Sequence, residues 1–214
     1  MTAFNLKLLL ILLVHFECLI HFVTCHGLLL IPVNRASIWR DNKSAPIDYD
    51  DNQGFCGGFQ VQWEINKGKC GICGDDYRYP VPRSHEYQGP YGRSGIMANY
   101  TQGTAIQVTT LLTANHLGWI QFSLCNLDNR NLETEDCFQN LEFTNNRAVY
   151  DIPEGFTGLL TNTIILPKNL RCKHCVLRWH YRTGNNWGIC EDGSGKLGCG
   201  PQENFRSCSD ISIQ

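Results

Sequence analysis

Ten cysteines behind a hydrophobic N-terminal segment constrain this chain more than any other feature. The sequence holds twelve cysteines. Cys18 and Cys25 fall in the N-terminal segment, which leaves ten: Cys56, Cys70, Cys73, Cys125, Cys137, Cys172, Cys175, Cys190, Cys199 and Cys208. An even number of cysteines in a secreted chain reads as a disulfide framework, here five bridges. Connectivity does not follow from spacing, with one exception: Cys125–Cys137 would close a short polar loop between strand-like runs. "CGIC" (70–73) and "CKHC" (172–175) also fit halves of a zinc site, and "CGIC" fits a redox dithiol. Both alternatives belong to a reducing compartment, and the two pairs stand far apart in the chain, so structural bridges are favoured.

The secretory reading rests on residues 1–25. Lys7 supplies a positive start, "LLLILLV" (Leu8 to Val14) an apolar core, and Val23 and Cys25 the compact residues before a cleavage point. A membrane anchor needs about 20 uninterrupted apolar residues, and His15, Glu17 and His21 break the run. The expectation is a signal peptide over 1–25 and a single domain over 26–214, secreted and extracellular, with no membrane association after cleavage. A formal net charge of −2 gives no case for nucleic acid or an anionic membrane as partner, and a monomer is expected. Two sequons, Asn42-Lys43-Ser44 and Asn99-Tyr100-Thr101, make Asn42 and Asn99 candidate glycosylation sites on the surface.

The chain divides by texture. Residues 26–100 are rich in Gly, Pro, Asn, Asp and Cys and read as loops, with a short helix near "GFQVQWEI" (58–65). From Thr101 on, β-branched and aromatic runs bounded by turn residues predict strands: "AIQVTTLLT" (105–113), "GWIQFSLC" (118–125), "GLLTNTIILP" (158–167), "CVLRWHYRTG" (175–184) and "ENFRSCSDISI" (203–213). Strands without alternating helices argue for an antiparallel sandwich, with the irregular first half decorating one end. In a sandwich of this size Trp39, Trp63, Trp119, Trp179 and Trp187 are expected in the core. Tyr77, Tyr79, Tyr87 and Tyr91 lie on the loop-rich segment and are better placed to meet a ligand with their rings.

Five histidines follow the signal segment: His26, His85, His116, His174 and His180. His174 sits inside a CxxC, His180 in a strand as a packed side chain, and His85 on a loop with no assigned role. His26 and His116 differ. Cleavage after Cys25 makes His26 the first residue, with its α-amine beside ring Nδ1, a ready chelate. His116, in "LLTANHLGW", occupies a loop directly after a strand. Together they offer three nitrogens, a set that suits Zn, Cu, Ni or Fe, with Cu(II) favoured by the affinity order. The α-amine, with a pKa of about 7.7–8.0, must lose its proton to bind, so affinity should fall at acid pH.

The motifs "HGLLLIPVNRASIWR", "FCGGFQVQWEINKGKCGICGD" (55–75), "LTANHLGW" (112–119), "TGNNWGIC" (183–190) and "GCGPQENFRSCSD" (198–210) together resemble the lytic polysaccharide monooxygenases. The similarity is strongest to auxiliary activity family fifteen, the invertebrate type, also described as a chitin-binding type-4 domain. It spans essentially the whole of 26–214. The resemblance implies a mostly β, antiparallel immunoglobulin/fibronectin-III-like β-sandwich with long disulfide-stapled loops and short helices.

It also implies one copper ion, cycling between Cu(I) and Cu(II), held by the amine and ring of His26 and by His116. An external electron donor and H2O2 or O2 as co-substrate would serve oxidation at C1 or C4 of a β-1,4-linked sugar. The partner would be an insoluble polysaccharide surface, chitin first and cellulose second. Phe205, in "FRSCSD", matches the axial residue beside the copper. Related enzymes carry Tyr or Phe there; Phe neither ligates nor donates a hydrogen. Ala114, two residues before His116, matches a small residue at the open copper face. Gln62 and Glu64, in "VQWE", are candidates for a polar group near the ion. The competing readings are a secreted chitin-binding protein without turnover and a secreted copper-binding protein.

Overall fold

The computed structural model describes residues 27–214; the expected signal segment 1–25 and His26 lie outside the described residues. The strands are β1 (Gly27–Ile31), β2 (Ala98–Tyr100), β3 (Ala105–Leu112), β4 (Trp119–Asn126), β5 (Gln139–Asn140), β6 (Glu142–Phe143), β7 (Tyr150–Asp151), β8 (Gly158–Ile165), β9 (Cys172–Arg182), β10 (Trp187–Ile189), β11 (Gly195–Leu197) and β12 (Asn204–Ile213). Short helical turns occupy Arg35–Arg40, Val61–Ile65 and Glu135–Cys137. No described helix is long and apolar enough to cross a membrane.

Two sheets build the sandwich. One runs β1-β3-β8-β6, the other β2-β12-β9-β4-β5 with β7 also against β4. Pairing is antiparallel except between β2 and β12. The alternation in β3 explains its place: Ile106, Val108 and Leu112 point one way, as a period of two demands. They join Ile120, Phe122 and Leu124 of β4 and Leu177, Trp179 and Tyr181 of β9 in one buried cluster. This is the expected antiparallel sandwich.

The six-strand order buries β12 on both faces. Phe205 and Ile211 enter the main core, while Cys208, of opposite parity, packs with Ile72, Cys73, Cys125 and Val176 in a second cluster. The loop-rich first half supplies that outer layer. It does not merely decorate one end, and it opens with a strand and a helical turn that "GLLLIPVNRASIWR" did not reveal, because β1 is short and buries three successive residues.

Arg35 fixes this layer. Its Nε and Nη2 donate to the two oxygens of Asp210 at 2.7 and 2.6 Å, and its Nη1 donates to Glu133 at 2.5 Å and to the His85 carbonyl at 2.9 Å. All three charged side chains are buried. His174 Nε2 lies 2.7 Å from Asp210 Oδ1. A buried cation survives only when its hydrogens and charge are matched, and two carboxylates from distant parts of the chain match it here.

The described cysteines form five bridges: Cys56–Cys70, Cys73–Cys208, Cys125–Cys137, Cys172–Cys175 and Cys190–Cys199. The sulfurs of "CGIC" are thus engaged with two different partners and form no redox pair. Cys73–Cys208 ties the outer layer to β12 across 135 residues, whereas Cys172–Cys175 closes a step of three. In the chain-entropy view the long bridge stabilises by about 5 kcal/mol and the short one by about 2. The double replacement Cys73→Ala/Cys208→Ala should therefore lower the denaturant midpoint far more than Cys172→Ala/Cys175→Ala. Equal losses would show that loop length does not govern the framework.

His85 forms a second clasp in the outer layer. Its Nδ1 meets Asp75 at 2.9 Å and its Nε2 meets Asp48 at 2.8 Å, and its ring stacks on Tyr91. Burial alone would lower its pKa, but the hydrogen bonds and charges of Asp48 and Asp75 outweigh that and push it up to about 9. A shift of this size is worth on the order of 3 kcal/mol. Because the folded pKa is raised, that stability is fully present below about pH 6.5, the unfolded value. It disappears as pH climbs through about 9. Denaturant midpoints should fall over that window, and His85→Gln should remove the slope. A variant with the same slope would place the titration elsewhere.

Candidate metal centre

The loop 113–118 that carries His116 is built by its own residues. Asn115 Oδ1 accepts from Leu117 N at 2.8 Å, and its Nδ2 donates to the Pro153 and Phe156 carbonyls at 2.7 and 2.9 Å. Asn thus closes the turn and pins it to the segment before β8. Leu117 (φ 54°) and Gly118 (φ 79°) adopt left-handed backbone. At 118 this must be Gly, since a Cβ would lie 2.1 Å from the Arg182 carbonyl oxygen.

His116 is held at three points. Its backbone N donates to Tyr181 Oη at 3.0 Å, and its carbonyl accepts from Gly184 N at 2.8 Å. The side-chain amide of Asn185 touches ring Nδ1 at 2.5 Å. Tyr181 is buried and its hydroxyl also donates to the Leu117 carbonyl at 2.8 Å, so β9 grips the loop from below. The remaining ring nitrogen, Nε2, is buried with no hydrogen-bond partner among the described residues. Burial lowers the pKa of the ring, which favours the neutral imidazole that metals require.

β1 brings the N-terminal side of the described chain alongside. Gly27, the residue after His26, pairs with Leu112, four residues before His116. A Cβ on Gly27 would stand 2.9 Å from the Trp179 ring and 3.0 Å from Leu112 Cδ2, which accounts for Gly in "HG". His26 itself lies outside the described residues.

Phe205 is 1% exposed. It pairs with Tyr181 across β12 and β9, with ring centroids 5.9 Å apart and nearly parallel planes. It is therefore a core aromatic packed on the residue that holds His116. Ala114 is half-buried in the same loop. Gln62 is buried and reaches this region only indirectly: its Nε2 donates to the Gly68 carbonyl and its Oε1 accepts from Asn204, the neighbour of Phe205. Glu64 is exposed. Neither bonds to His116. His174 and His180 are engaged with Asp210 and Asn204. Burial, with the nearby Arg206 charge, pushes the His180 pKa down to about 3.

The structure adds residues that sequence reasoning passed over: Tyr181, Gly184, Asn185 and Trp187. The motif "TGNNWGIC" held the last three, but nothing in an Asn-Asn turn says which ring it will touch. Trp187 was expected in the core. It is instead 65% exposed, and with Ile189 (56%) and Leu197 (59%) it forms one outward face of the β10–β11 hairpin. Its ring lies across Gly195, where a Cβ would stand 2.3 Å from Cζ2. Both its neighbours across the hairpin leave it uncovered, so a large aromatic has no core to enter there. Of the loop tyrosines, Tyr77 and Tyr79 are exposed, whereas Tyr87 and Tyr91 are half-buried against His174 and His85.

A family model described as "lytic polysaccharide mono-oxygenase, cellulose-degrading" matches residues 26–211. The chain belongs to the lytic polysaccharide monooxygenases. A solved auxiliary activity family fifteen monooxygenase from Thermobia domestica, in the Cu(I) state, is 46% identical, with a TM-score of 0.84 over 88% of this chain and 98% of that one. This monooxygenase is a member of the same family and an oxidoreductase acting on polysaccharide. A chitin binding domain from Burkholderia pseudomallei shares the fold, with a TM-score of 0.50 at 14% identity over 89% of this chain and all of that one. A search of curated proteins found no match.

A metal at this site is compatible with the monooxygenase's own residues. The Nε2 of His116, buried and without a partner among the described residues, is the kind of atom that a metal satisfies, and an imidazole is a donor suited to copper. The grip from Tyr181 can be tested directly. Tyr181→Phe removes one hydroxyl that serves two backbone groups of the loop, at a cost of about 1–3 kcal/mol. The His116 amide should then exchange with solvent faster than in the parent protein. Unchanged exchange would show that Asn115 and Gly184 suffice to hold the loop.

Proposed function

We propose that this monooxygenase is secreted, is cut after Cys25, and is a copper-dependent enzyme that oxidatively cleaves β-1,4-linked polysaccharide, with chitin as first substrate and cellulose as second. The observation that carries the reading is the buried Nε2 of His116, without a hydrogen-bond partner among the described residues, in a chain whose first residue after cleavage would be His26. The ion would be held by the amine and ring of His26 and by His116. Bound there, copper would supply one-electron redox chemistry with H2O2 or O2 and an external electron donor.

The protein's own groups set the rest. The loop 113–118 and β9 hold His116 through its backbone N and carbonyl, which would let it present the same donor to either charge state of the ion. Phe205, packed on Tyr181, would offer the ion neither a ligand nor a hydroxyl hydrogen, and its buried ring would help keep water from that side. Ala114, half-buried in the same loop, would crowd an ion on His116 less than a larger side chain. The outward face of Trp187, Ile189 and Leu197, two residues on from Asn185, offers sugar rings an apolar platform of the kind that carbohydrate CH faces pack against. Oxidation at C1 or C4 destabilises the glycosidic bond, which then breaks by elimination. Five bridges suit an oxidising, extracellular setting. Cellulose stands beside chitin because the matching family description names it.

The test uses protein beginning at His26, loaded with copper, on β-chitin and separately on cellulose with ascorbate, read by mass spectrometry. Aldonic-acid or 4-keto oligosaccharides that need both copper and reductant are expected, and His116→Ala should lose tight copper binding and all oxidised product. Retention on chitin with no oxidised product from either polymer would replace the enzyme with a binding protein.

A further inference from the structure

His116 leaves one question open that the ligand set alone does not answer: what decides which ring nitrogen carries the proton. Only one of the two nitrogens can present a lone pair to a metal in the neutral ring. Nδ1 has a neighbour, the Asn185 amide nitrogen Nδ2 at 2.5 Å, and Nε2 has none among the described residues. A proton on Nε2 would be a buried donor without an acceptor among the described residues, a rare and costly arrangement. A proton on Nδ1 has an acceptor if the amide turns its oxygen toward the ring, and a half-turn about the side-chain axis exchanges amide nitrogen and oxygen.

The amide is held where it can do this. Gln202, wholly buried, accepts from Asn186 N at 3.0 Å and donates to the Asn186 and Cys199 carbonyls at 2.9 and 2.7 Å. The residue next to Asn185 is thus clamped through both backbone groups. On its other side Gly184 bonds the His116 carbonyl. The segment is fixed at both ends with the amide between them.

We propose that Asn185 is a positioning residue for the metal centre: its side-chain amide accepts the Nδ1 proton of His116 and so keeps Nε2 as a lone pair. The proposal rests on the copper reading for its purpose, but not for its test. Groups that fix the far nitrogen of a ligating histidine typically affect metal affinity by about 10–100-fold.

Two variants separate the idea from a loss of folding. Asn185 is exposed, so neither should disturb the core. Asn185→Leu removes the polar group; Asn185→Asp keeps only acceptors. In metal-free protein beginning at His26, long-range proton–nitrogen NMR at mildly alkaline pH reads the tautomer of His116 directly. The parent and Asn185→Asp should show the proton on Nδ1, and Asn185→Leu a mixture. Copper titration should then find Asn185→Leu weaker by about 10–100-fold and Asn185→Asp close to the parent. An unchanged tautomer in Asn185→Leu, or Asn185→Asp binding copper as weakly as Asn185→Leu, would overturn the proposal. If the parent binds no copper at all, the copper reading fails, and the NMR comparison still decides the role of Asn185.

Discussion

Arg35 is a permanent cation enclosed by protein, and much of the architecture is arranged so that it can be there. Its guanidinium takes both oxygens of Asp210 on β12 and one of Glu133 from the loop after β4. Removing a partner from such a buried pair typically costs about 3–5 kcal/mol, because the charge left behind cannot reach water. The same group binds the His85 carbonyl, so Arg35 and the Cys73–Cys208 bridge together fix the loop-rich half of the chain on the sheet. With that layer in place β12 is covered on its outer side, and its inner side can carry Phe205 against Tyr181. The loop that carries His116 is thus linked, through Tyr181 and β12, to an ion pair on the opposite face of the sheet.

The long strands were legible because burial on one face leaves a period of two in the sequence, as Ile106, Val108 and Leu112 show. Strands of two or three residues carry no period to read, so β5, β6, β7 and the hairpin emerged only in three dimensions. Cys125–Cys137 could be paired on paper because its loop is short. Cys73–Cys208 could not, since nothing local links residues so far apart in the chain.

At the site, His116 stood out because a loop after a strand and a specific motif coincided there. Asn185 did not, because an exposed Asn in a turn has the same sequence appearance whether or not it meets a ring. Trp187 was misread for a different reason. Large aromatics go inside by default, and only the hairpin geometry shows that this one has no interior to enter. The polar candidates Gln62 and Glu64 come from the family resemblance, and in the fold Gln62 accepts a hydrogen bond from Asn204.

The hairpin that carries Trp187 is tied to the sandwich by two polar side chains, Arg182 on the Gly198 and Gly200 carbonyls and Gln202 on the Asn186 and Cys199 carbonyls. Gly188 comes so close to the Cys199 carbonyl that a Cβ would stand 2.1 Å away, and Cys190–Cys199 locks the two arms. None of its outward side chains belongs to either buried cluster. Surface and scaffold are therefore decoupled: the outward residues can change in size, charge or shape without repacking the interior. Divergence can act on this arm while the histidine loop beneath it stays the same.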